Sequence, residues 1–382
     1  MSADIPKDCP KIIVLADDLS GAAEIAGIAF SRGLSAEVQR QFDRTSDAQL
    51  IALDTDSRDR PSAEAADRVR QVTEQVVASR PAWIFKKVDS LLRGNVRAEI
   101  EAILGVSEQH RALLIPANPS RGRVIAGGRY LIDGVPLDQT PLAADQDNPR
   151  RSADVRALLG DDGREPVHMV QIEAPLPLAG ILVPEASSWS DIYRLARDTS
   201  SHTLLAGAAD FFSAVLDVRC QQRSAAAPPI QIVPPALLIC GSRASWPARR
   251  ADCVAAGIPL IALEDGGGAA SRTFGALAVG IGERKLAGPD TLLSFLSQLV
   301  AFIVNNSAVQ SLLIEGGATA AAIAEEFTWT RFAVTAAAPA GVGVLRPLDA
   351  NAPLVLIKPG SYPWPPEIWQ AFCACIAHQP EA

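Results

Sequence analysis

Short apolar segments that end in polar turns recur along the 382-residue chain, and a segment with helical periodicity follows most of them. In the first half such segments lie at residues 12–15, 50–53, 83–88 and 112–115. Strand followed by helix, repeated several times, predicts a parallel sheet with right-handed crossover connections. Ligands of open α/β sheets bind at the carboxyl ends of the strands. The polar residues at these ends are therefore the first candidates for chemistry.

The same alternation resumes after a segment rich in alanine and proline at residues 224–235. Small residues and prolines at mid-chain are typical of a connection between domains, and a chain of this length exceeds one ordinary core. We therefore predict an α/β protein of two domains, each a mostly parallel sheet flanked by helices. The expected boundaries are an N-terminal domain at residues 1–222, a linker at 223–235 and a C-terminal domain at 236–382.

Composition restricts the partners and the compartment. A formal net charge of -8 argues against binding nucleic acid or an anionic membrane through the overall field. The sequence shows neither a secretory signal nor an apolar run of about 18 residues. Its six cysteines are scattered, which favours reduced thiols over a disulfide framework or a zinc site. We expect a cytoplasmic protein and assign no residue as a metal ligand.

The turn after the first apolar run contains Asp17, Asp18, Ser20 and Gly21. One interpretation is that Asp18 or Ser20 caps the helix that follows. A cap needs only one short polar residue, whereas this turn supplies three. The second interpretation is that the two carboxylates take part in chemistry at the strand end.

The turn after the third apolar run combines both signs of charge, in Lys86, Lys87, Asp89 and Arg93, beside Asn95. Arginine binds a carboxylate through two parallel N–H bonds, and aspartate accepts hydrogen bonds from hydroxyls. One of the strand-end aspartates could also accept the proton of an attacking hydroxyl. These residues predict a pocket for a small polyhydroxy acid. Side chains alternate along a strand, so we expect one lysine in the pocket and the other at the surface.

Three turns of the second half, at residues 241–245, 316–319 and 358–361, are rich in glycine and hydroxyls, with little negative charge apart from Glu315. Backbone N–H groups at such turns bind phosphates, although glycine also ends strands for steric reasons alone. The turns lack the P-loop signature, and the chain lacks a full dinucleotide fingerprint. A nucleotide site is therefore favoured, and a dehydrogenase is disfavoured.

Four motifs, at residues 16–22, 86–95, 116–119 and 133–137, read Ala-Asp-Asp-Leu-Ser-Gly-Ala, Lys-Lys-Val-Asp-Ser-Leu-Leu-Arg-Gly-Asn, Pro-Ala-Asn-Pro and Asp-Gly-Val-Pro-Leu. Together they resemble the four-carbon acid sugar kinase family, whose members are two-domain, ATP-dependent enzymes that phosphorylate threonate, erythronate or 3-oxo-tetronate. The resemblance extends over nearly the whole chain. It implies in-line transfer of the γ-phosphoryl group of ATP to a sugar hydroxyl, with Mg²⁺ accompanying the nucleotide. It is also compatible with a homodimer.

The resemblance implies that the N-terminal domain binds the acid sugar and the C-terminal domain binds the nucleotide. Carried over by position, it places catalytic roles on Asp18, Asp89 and Arg93. The implied sugar contacts are Asp17, Ser20, Lys87, Ser90, Gly94, Asn95 and Arg123. The implied nucleotide contacts are Ser242, Ser245, Gly316, Gly317, Ala318, Thr319 and Gly360.

Three positions depart from the family pattern. Ala318 stands where the family usually has aspartate, and Leu91 stands where it usually has threonine. Pro359 replaces a residue of a Lys-Ser-Gly-Gly turn and removes one backbone donor. Two of the three changes fall in the nucleotide half. The alternative hypothesis is therefore a catalytically impaired family member that binds or senses a sugar acid.

Overall fold

The computed structural model describes residues 11–144, 151–200, 202–220, 230–243, 245–263, 274–282, 288–339, 341–349, 351–360 and 362–378. Cys9 and the first part of the predicted linker lie outside these residues. The strands are β1 Ile12–Ala16, β2 Ala36–Gln39, β3 Leu50–Asp54, β4 Trp83–Lys87, β5 Arg111–Ile115, β6 Arg123–Ala126, β7 Arg129–Ile132, β8 Val135–Pro136, β9 Val167–Val170, β10 Gly180–Pro184, β11 Thr203–Gly207, β12 Ala236–Cys240, β13 Leu260–Ala262, β14 Ala276–Gly280, β15 Ser311–Glu315, β16 Arg331–Ala336, β17 Gly343–Pro347 and β18 Leu354–Lys358. The helices are α1 Leu19–Ser31, α2 Ser62–Ala78, α3 Val96–Leu104, α4 Val155–Leu159, α5 Trp189–Arg197, α6 Ala209–Arg219, α7 Trp246–Ala255, α8 Pro289–Ser307, α9 Gly317–Glu326 and α10 Pro366–Ala374.

The chain divides into two compact units that are not contiguous in sequence. The first unit comprises Met1–Asp17 and Arg32–Arg223, and the second comprises Asp18–Ser31 and Ser224–Ala382. The sequence places α1 in the N-terminal domain, but its contacts with β16, β17, β18 and α9 make it part of the second unit. The division along the chain therefore falls at the bond between Asp17 and Asp18.

The first unit contains an eight-stranded parallel sheet with the order β2-β3-β1-β4-β11-β5-β10-β9. Its central strands are short apolar runs that are buried throughout, as expected for a parallel sheet covered on both faces. The strand ends lie level, because Ala16 pairs with both Asp54 and Lys87, and Lys87 pairs with Gly207. The turns after β1, β3 and β4 consequently leave the sheet at one edge.

A small antiparallel sheet of β6, β7 and β8 follows β5 in the first unit. The predicted Asp-Gly turn joins β7 to β8, with Asp133 and Gly134 both at positive φ. Tyr130 of β7 is fully buried. This sheet supplies Arg123, at the start of β6, to the strand-end turns described below.

The second unit contains a seven-stranded sheet with the order β13-β14-β12-β15-β18-β17-β16. Its first five strands are parallel, whereas β17 pairs antiparallel with β18 and with β16. Glu315 pairs in register with Cys240 and with Lys358, so the turns after β12, β15 and β18 also leave the sheet at one edge. The predicted fold class, α/β with mostly parallel sheets, is confirmed.

Helix α1 packs against the rest of the second unit through small residues. A Cβ atom on Gly27 would lie 3.2 Å from the carbonyl oxygen of Val342, and one on Gly343 would lie 2.6 Å from the Cβ of Ala23. The helix and the start of β17 therefore approach too closely for larger side chains. Every residue from Leu19 to Gly27 is buried.

Two further features concern the class of protein. Among the helices that the structure describes, none combines the length and the apolar character that crossing a bilayer requires. The five described cysteines, at positions 220, 240, 253, 373 and 375, are free thiols.

Candidate active site

The turn after β1 is joined to the turn after β3 by a buried ion pair in the first unit. Arg58 donates from Nε to Oδ2 of Asp17 at 2.9 Å and from Nη2 to Oδ1 at 2.8 Å. The backbone N–H groups of Ser57 and Arg58 donate to the carbonyl oxygen of Asp17. Burial raises the pKa of Asp17, but Arg58, Lys86 and Lys87 together bring this pKa below its usual value. Asp17 is therefore an ionised, fixed carboxylate.

A second carboxylate–arginine pair closes the turn after β4. Arg93 donates to both oxygens of Asp89, at 2.9 Å and 2.7 Å, and the backbone N–H groups of Leu91 and Arg93 add bonds to Oδ2. Burial opposes ionisation, but Arg93, with Arg58 and Lys87, holds the pKa of Asp89 well below its usual range. A carboxylate of such low basicity is a poor proton acceptor at neutral pH. The contacts of Asp89 thus orient Arg93 and the turn.

The two adjacent lysines of β4 have different environments. Lys86 is fully buried, and its Nζ lies 2.6 Å from Oε2 of Glu99 on α3. Burial raises the pKa of Glu99, and Lys86 opposes that rise. Lys87 lies on the other face, where its Nζ donates to the carbonyl oxygen of Val88 at 3.1 Å. Lys86 therefore supports the sheet, and Lys87 is the lysine at the strand-end turns.

The small antiparallel sheet contacts the same turn through Ser90. Arg123 donates from Nη1 to the hydroxyl of Ser90, and the hydroxyl of Tyr130 donates to the carbonyl oxygen of Ser90. Arg123 is 8% exposed. A cation and a hydroxyl from distant parts of the sequence thus meet beside Asp89.

Gly94 and Asn95 hold the turn after β3 in place. The amide of Asn95 donates to the carbonyl oxygens of Ser57 and Arg60, at 3.0 Å and 2.9 Å. Gly94 has a φ of 81°, and a Cβ atom there would lie 3.0 Å from Cγ of Arg58. Both residues therefore lie against Arg58 or the turn that contains it. Both were predicted to contact the sugar.

In the second unit, the predicted nucleotide turns contact one another. The hydroxyl of Ser245 donates to the carbonyl oxygen of Gly360 at 3.3 Å, and the backbone N–H of Ser245 donates to the hydroxyl of Ser242 at 3.3 Å. A Cβ atom on Gly241 would lie 2.0 Å from Oγ1 of Thr319. The three turns thus form one cluster.

Helix α9 begins at this cluster, and no side chain caps its first turn. Its N-cap, Gly316, has a φ of 97° and provides no side-chain hydrogen bond, and its first turn contains no acidic residue. The N–H of Gly316 donates to the carbonyl oxygen of Lys358 at 2.9 Å. Because Ala318 is the second residue after the cap, the carboxylate usual in the family is missing from this first turn. A ten-residue helix that starts in this way presents its dipole and first N–H groups to an anion.

A buried cluster of charges lies beneath the turns. Oε1 of Glu315 accepts hydrogen bonds from Nε of Arg249 at 2.7 Å and from the indole of Trp364 at 2.5 Å, and it lies 3.7 Å from Nζ of Lys358. Glu315 is fully buried, and Lys358 is 1% exposed. Burial lowers the pKa of Lys358, and the charge of Glu315 opposes this decrease. Burial and Glu315 also raise the pKa of Cys240.

Asp18 and Ser20 belong to the second unit. Oδ1 of Asp18 accepts from the N–H of Gly21 at 2.7 Å, and Oδ2 accepts from the hydroxyl of Ser20 at 2.7 Å. Asp18 therefore does cap α1, as one of the two interpretations expected. Within the described part of the chain, no group of three or more His, Cys, Asp or Glu residues is arranged as a metal site.

Comparison with known proteins finds a family model that matches the chain. A model described as the sugar-binding N-terminal domain matches residues 12–215, which is more than half of the chain. The chain belongs to this family. The match includes every residue of the strand-end turns of the first unit, and it confirms the resemblance to the four-carbon acid sugar kinase family.

Three similar proteins are named as kinases of sugar acids. The chain is 28% identical to a D-threonate kinase of Salmonella typhimurium over 63% of its own length and 60% of that protein. It is 29% identical to a D-erythronate kinase of Heliobacterium modesticaldum over 45% of the chain and 39% of that protein. A D-threonate kinase of Bordetella bronchiseptica is 32% identical, with 49% of each chain covered. The matches thus span less than two thirds of these relatives.

Solved structures extend the likeness of fold to the whole chain. A crystal structure from Salmonella typhimurium LT2 superposes with a TM-score of 0.71 at 14% identity, covering 96% of this chain and 98% of the other. A Haemophilus influenzae protein superposes with a TM-score of 0.67 at 16% identity, covering 95% and 99%. Both confirm the fold of the family.

Several residues of these sites were not predicted from the sequence. Arg58 and Glu99 support the first unit, and Arg249 and Trp364 support the second. Arg58 could have been predicted from its place in the turn after β3, because this turn leaves the sheet at the same edge as the turn that contains Asp17. Arg249 and Trp364 occupy ordinary helix and loop positions, so no comparable signal marks them in the sequence.

Proposed function

We propose that this protein is an ATP-dependent kinase that phosphorylates a hydroxyl of a four-carbon sugar acid such as threonate, erythronate or 3-oxo-tetronate. The observation that supports it most is the set of fixed charges at the strand ends of the first unit. Asp17 is paired with Arg58, Asp89 with Arg93, and Ser90 with Arg123. Such preoriented cations and hydroxyl-binding carboxylates suit a small anion rich in hydroxyls.

On this proposal the sugar acid binds at the turns after β1, β3 and β4. The cations Lys87, Arg93 and Arg123 would face its carboxylate, and the carboxylate of Asp17 would accept from its hydroxyls. Gly94 and Asn95 would act by holding Arg58. Asp89 would serve by orienting Arg93, because its oxygens are already occupied by four N–H donors.

The nucleotide would bind at the turn cluster of the second unit. Ser242, Ser245, Gly360 and the 316–319 turn offer hydroxyls and backbone N–H groups of the kind that bind phosphates. In the transfer, the bond from the γ-phosphorus to the bridging oxygen of ADP breaks as the sugar hydroxyl forms a new P–O bond and releases its proton. Positioning and charge neutralisation dominate such reactions. Mg²⁺ would neutralise charge on the phosphates.

The test is an ADP-release assay with Mg-ATP and D-threonate, D-erythronate or 3-oxo-tetronate. We expect turnover with at least one acid and its loss in Arg93→Ala. The matched control is Arg197→Ala, because Arg197 forms an exposed pair with Asp198 and lies outside the turns. Absence of turnover with all three acids would contradict the proposal.

Ala318 and Pro359 favour a second candidate, a sugar-acid-binding protein without kinase activity. A missing carboxylate and a missing backbone donor both weaken contacts to a nucleotide. Calorimetry separates the candidates: the second requires binding of a sugar acid and no binding of Mg-ATP. Micromolar affinity for Mg-ATP would exclude it.

A further inference from the structure

The carboxylate of Asp18 lies directly against the first residue of α9. A Cβ atom on Gly317 would be 2.1 Å from Oδ2 and 2.6 Å from Cγ of Asp18. Any side chain at position 317 would therefore displace this carboxylate. Both residues belong to the second unit, so the contact lies within one compact body.

Two helices begin at this carboxylate. Asp18 accepts from the N–H of Gly21 at the start of α1, and Gly317 is the first residue of α9. A helix N-terminus carries a partial positive charge that favours an anion. The position suits an acidic side chain, and Asp18 is 8% exposed.

The 316–319 turn lacks a carboxylate of its own, since Ala318 occupies the position where the family usually has aspartate. Asp18 supplies one from the other end of the sequence, against the same turn. The hydroxyl of Ser20 lies 2.7 Å from Oδ2 of Asp18, and Thr319 belongs to the same turn as Gly317. One carboxylate with hydroxyls fits Mg²⁺, which prefers oxygen ligands and is usually bound by one or two carboxylates together with substrate phosphates.

We propose that Asp18 acts on the phosphoryl-donor side of the reaction and holds the Mg²⁺ that accompanies the nucleotide at the 316–319 turn. The inference rests on the proposed kinase function and reassigns Asp18, which the family resemblance places nearest to the acid sugar. Asp17, its neighbour in sequence, stays with the sugar-binding turns through Arg58. The two adjacent aspartates therefore serve the two substrates separately.

Calorimetry with ADP as the probe, in Mg²⁺ or in EDTA, tests this inference without turnover. We expect Asp18→Asn to weaken the binding of Mg-ADP about tenfold or more, a typical loss when a metal site is disturbed. Binding of ADP in EDTA and of D-threonate or D-erythronate should remain within about twofold, an energy difference below 0.5 kcal/mol. Asparagine keeps an acceptor for the N–H of Gly21, so capping of α1 is preserved.

A second variant reaches the same carboxylate by another route. Gly317→Ala places a methyl group where Oδ2 of Asp18 lies, and it should reproduce the Mg²⁺-dependent loss. The matched control is Gly288→Ala at the start of α8, where a Cβ atom meets nothing within 4 Å. It should bind Mg-ADP like the wild type.

Three results would overturn the inference: wild-type affinity for Mg-ADP in Asp18→Asn, loss of sugar-acid binding in that variant with Mg-ADP binding intact, or an equal loss with and without Mg²⁺. Failure of the kinase proposal is recognised separately, by absence of turnover in the wild type. An enzyme that binds Mg-ADP through Asp18 but turns over none of the three acids would contradict the proposed function and not the assignment of Asp18 to the nucleotide side.

Discussion

The strand-end turns of the two units are built from opposite materials. In the first unit the turns consist of charged side chains that are already paired with one another, as in Asp17 with Arg58 and Asp89 with Arg93. In the second unit the turns are glycine and hydroxyl residues, and the charges lie beneath them, around Glu315. The first arrangement fixes side chains for contact with a ligand, whereas the second fixes backbone. Removal of a charge should therefore disturb the strand-end turn itself in the first unit and the buried support beneath the turns in the second.

The largest effect should come from Glu315→Ala. It leaves the buried cations Arg249 and Lys358 without their shared carboxylate, and breaking a buried pair in this way costs about 3–5 kcal/mol. The measurement is the free energy of unfolding in a denaturant titration. Glu325→Gln, at an exposed position of α9, is the control and should change stability by less than about 0.5 kcal/mol. A similar small change in both variants would remove the contrast between the units.

Arg58→Met should come next, with a loss of stability of about 2–3 kcal/mol, as expected for a pair of hydrogen bonds to a buried charge. Arg58 lowers the pKa of Asp17 in the folded state. The stabilisation is therefore complete above the unfolded pKa, near 3.9, and is lost as the pH falls through the lower folded value. Denaturant unfolding of both proteins between about pH 2 and about pH 7 checks this sign. A difference that grows towards acid pH would contradict it.

Arg93→Lys should have a smaller effect, confined to the sugar side. Lysine keeps the charge but cannot form the two parallel bonds to Asp89. We expect the KM for the sugar acid to rise about tenfold, corresponding to about 1.4 kcal/mol, with the KM for ATP unchanged. Arg197→Lys, in an exposed ion pair, is the matched control. Equal changes in both KM values would show that Arg93 supports the protein as a whole.

The smallest effect is expected for Lys358→Met. Glu315 keeps its bonds from Arg249 and Trp364 and is not left as an unpaired charge, so stability at pH 7 should change by less than about 1 kcal/mol. Burial lowers the pKa of Lys358, so its charged form is a cost at neutral pH. The wild type should therefore gain stability relative to the variant as the pH rises towards the usual lysine value of 10.5. Comparison of the urea midpoints of both proteins at about pH 7 and about pH 10 measures it.

Much of the fold was predictable because buried parallel strands are short apolar runs. The runs that form β1, β3, β4 and β5 end at or next to the predicted residues, and polar turns follow them. The antiparallel strands β16 and β17 were not predicted. Exposed and buried residues mix along them, and such short segments resemble loops when taken alone.

The contacts of the site were predictable where both partners lie in one turn. They were not predictable where the partners lie far apart in sequence. Asp89 and Arg93 are four residues apart, so their pairing follows from the local sequence. Asn95 is adjacent to that pair, but its amide bonds the turn after β3, 35 to 38 residues away. A local pattern also cannot show which sheet a helix covers. Helix α1 was therefore predicted in the N-terminal domain, whereas it belongs to the second unit.

The packing of α1 has a consequence for dissecting the protein into fragments. A polypeptide cut at the proline-rich segment and starting at Ser224 would omit the helix that covers the start of β17. Gly343 and Val342 would then lose the surface formed by Ala23 and Gly27, and an apolar sheet face would be open to aggregation. Chimeras that exchange this half between relatives therefore need to exchange residues 18–31 as well.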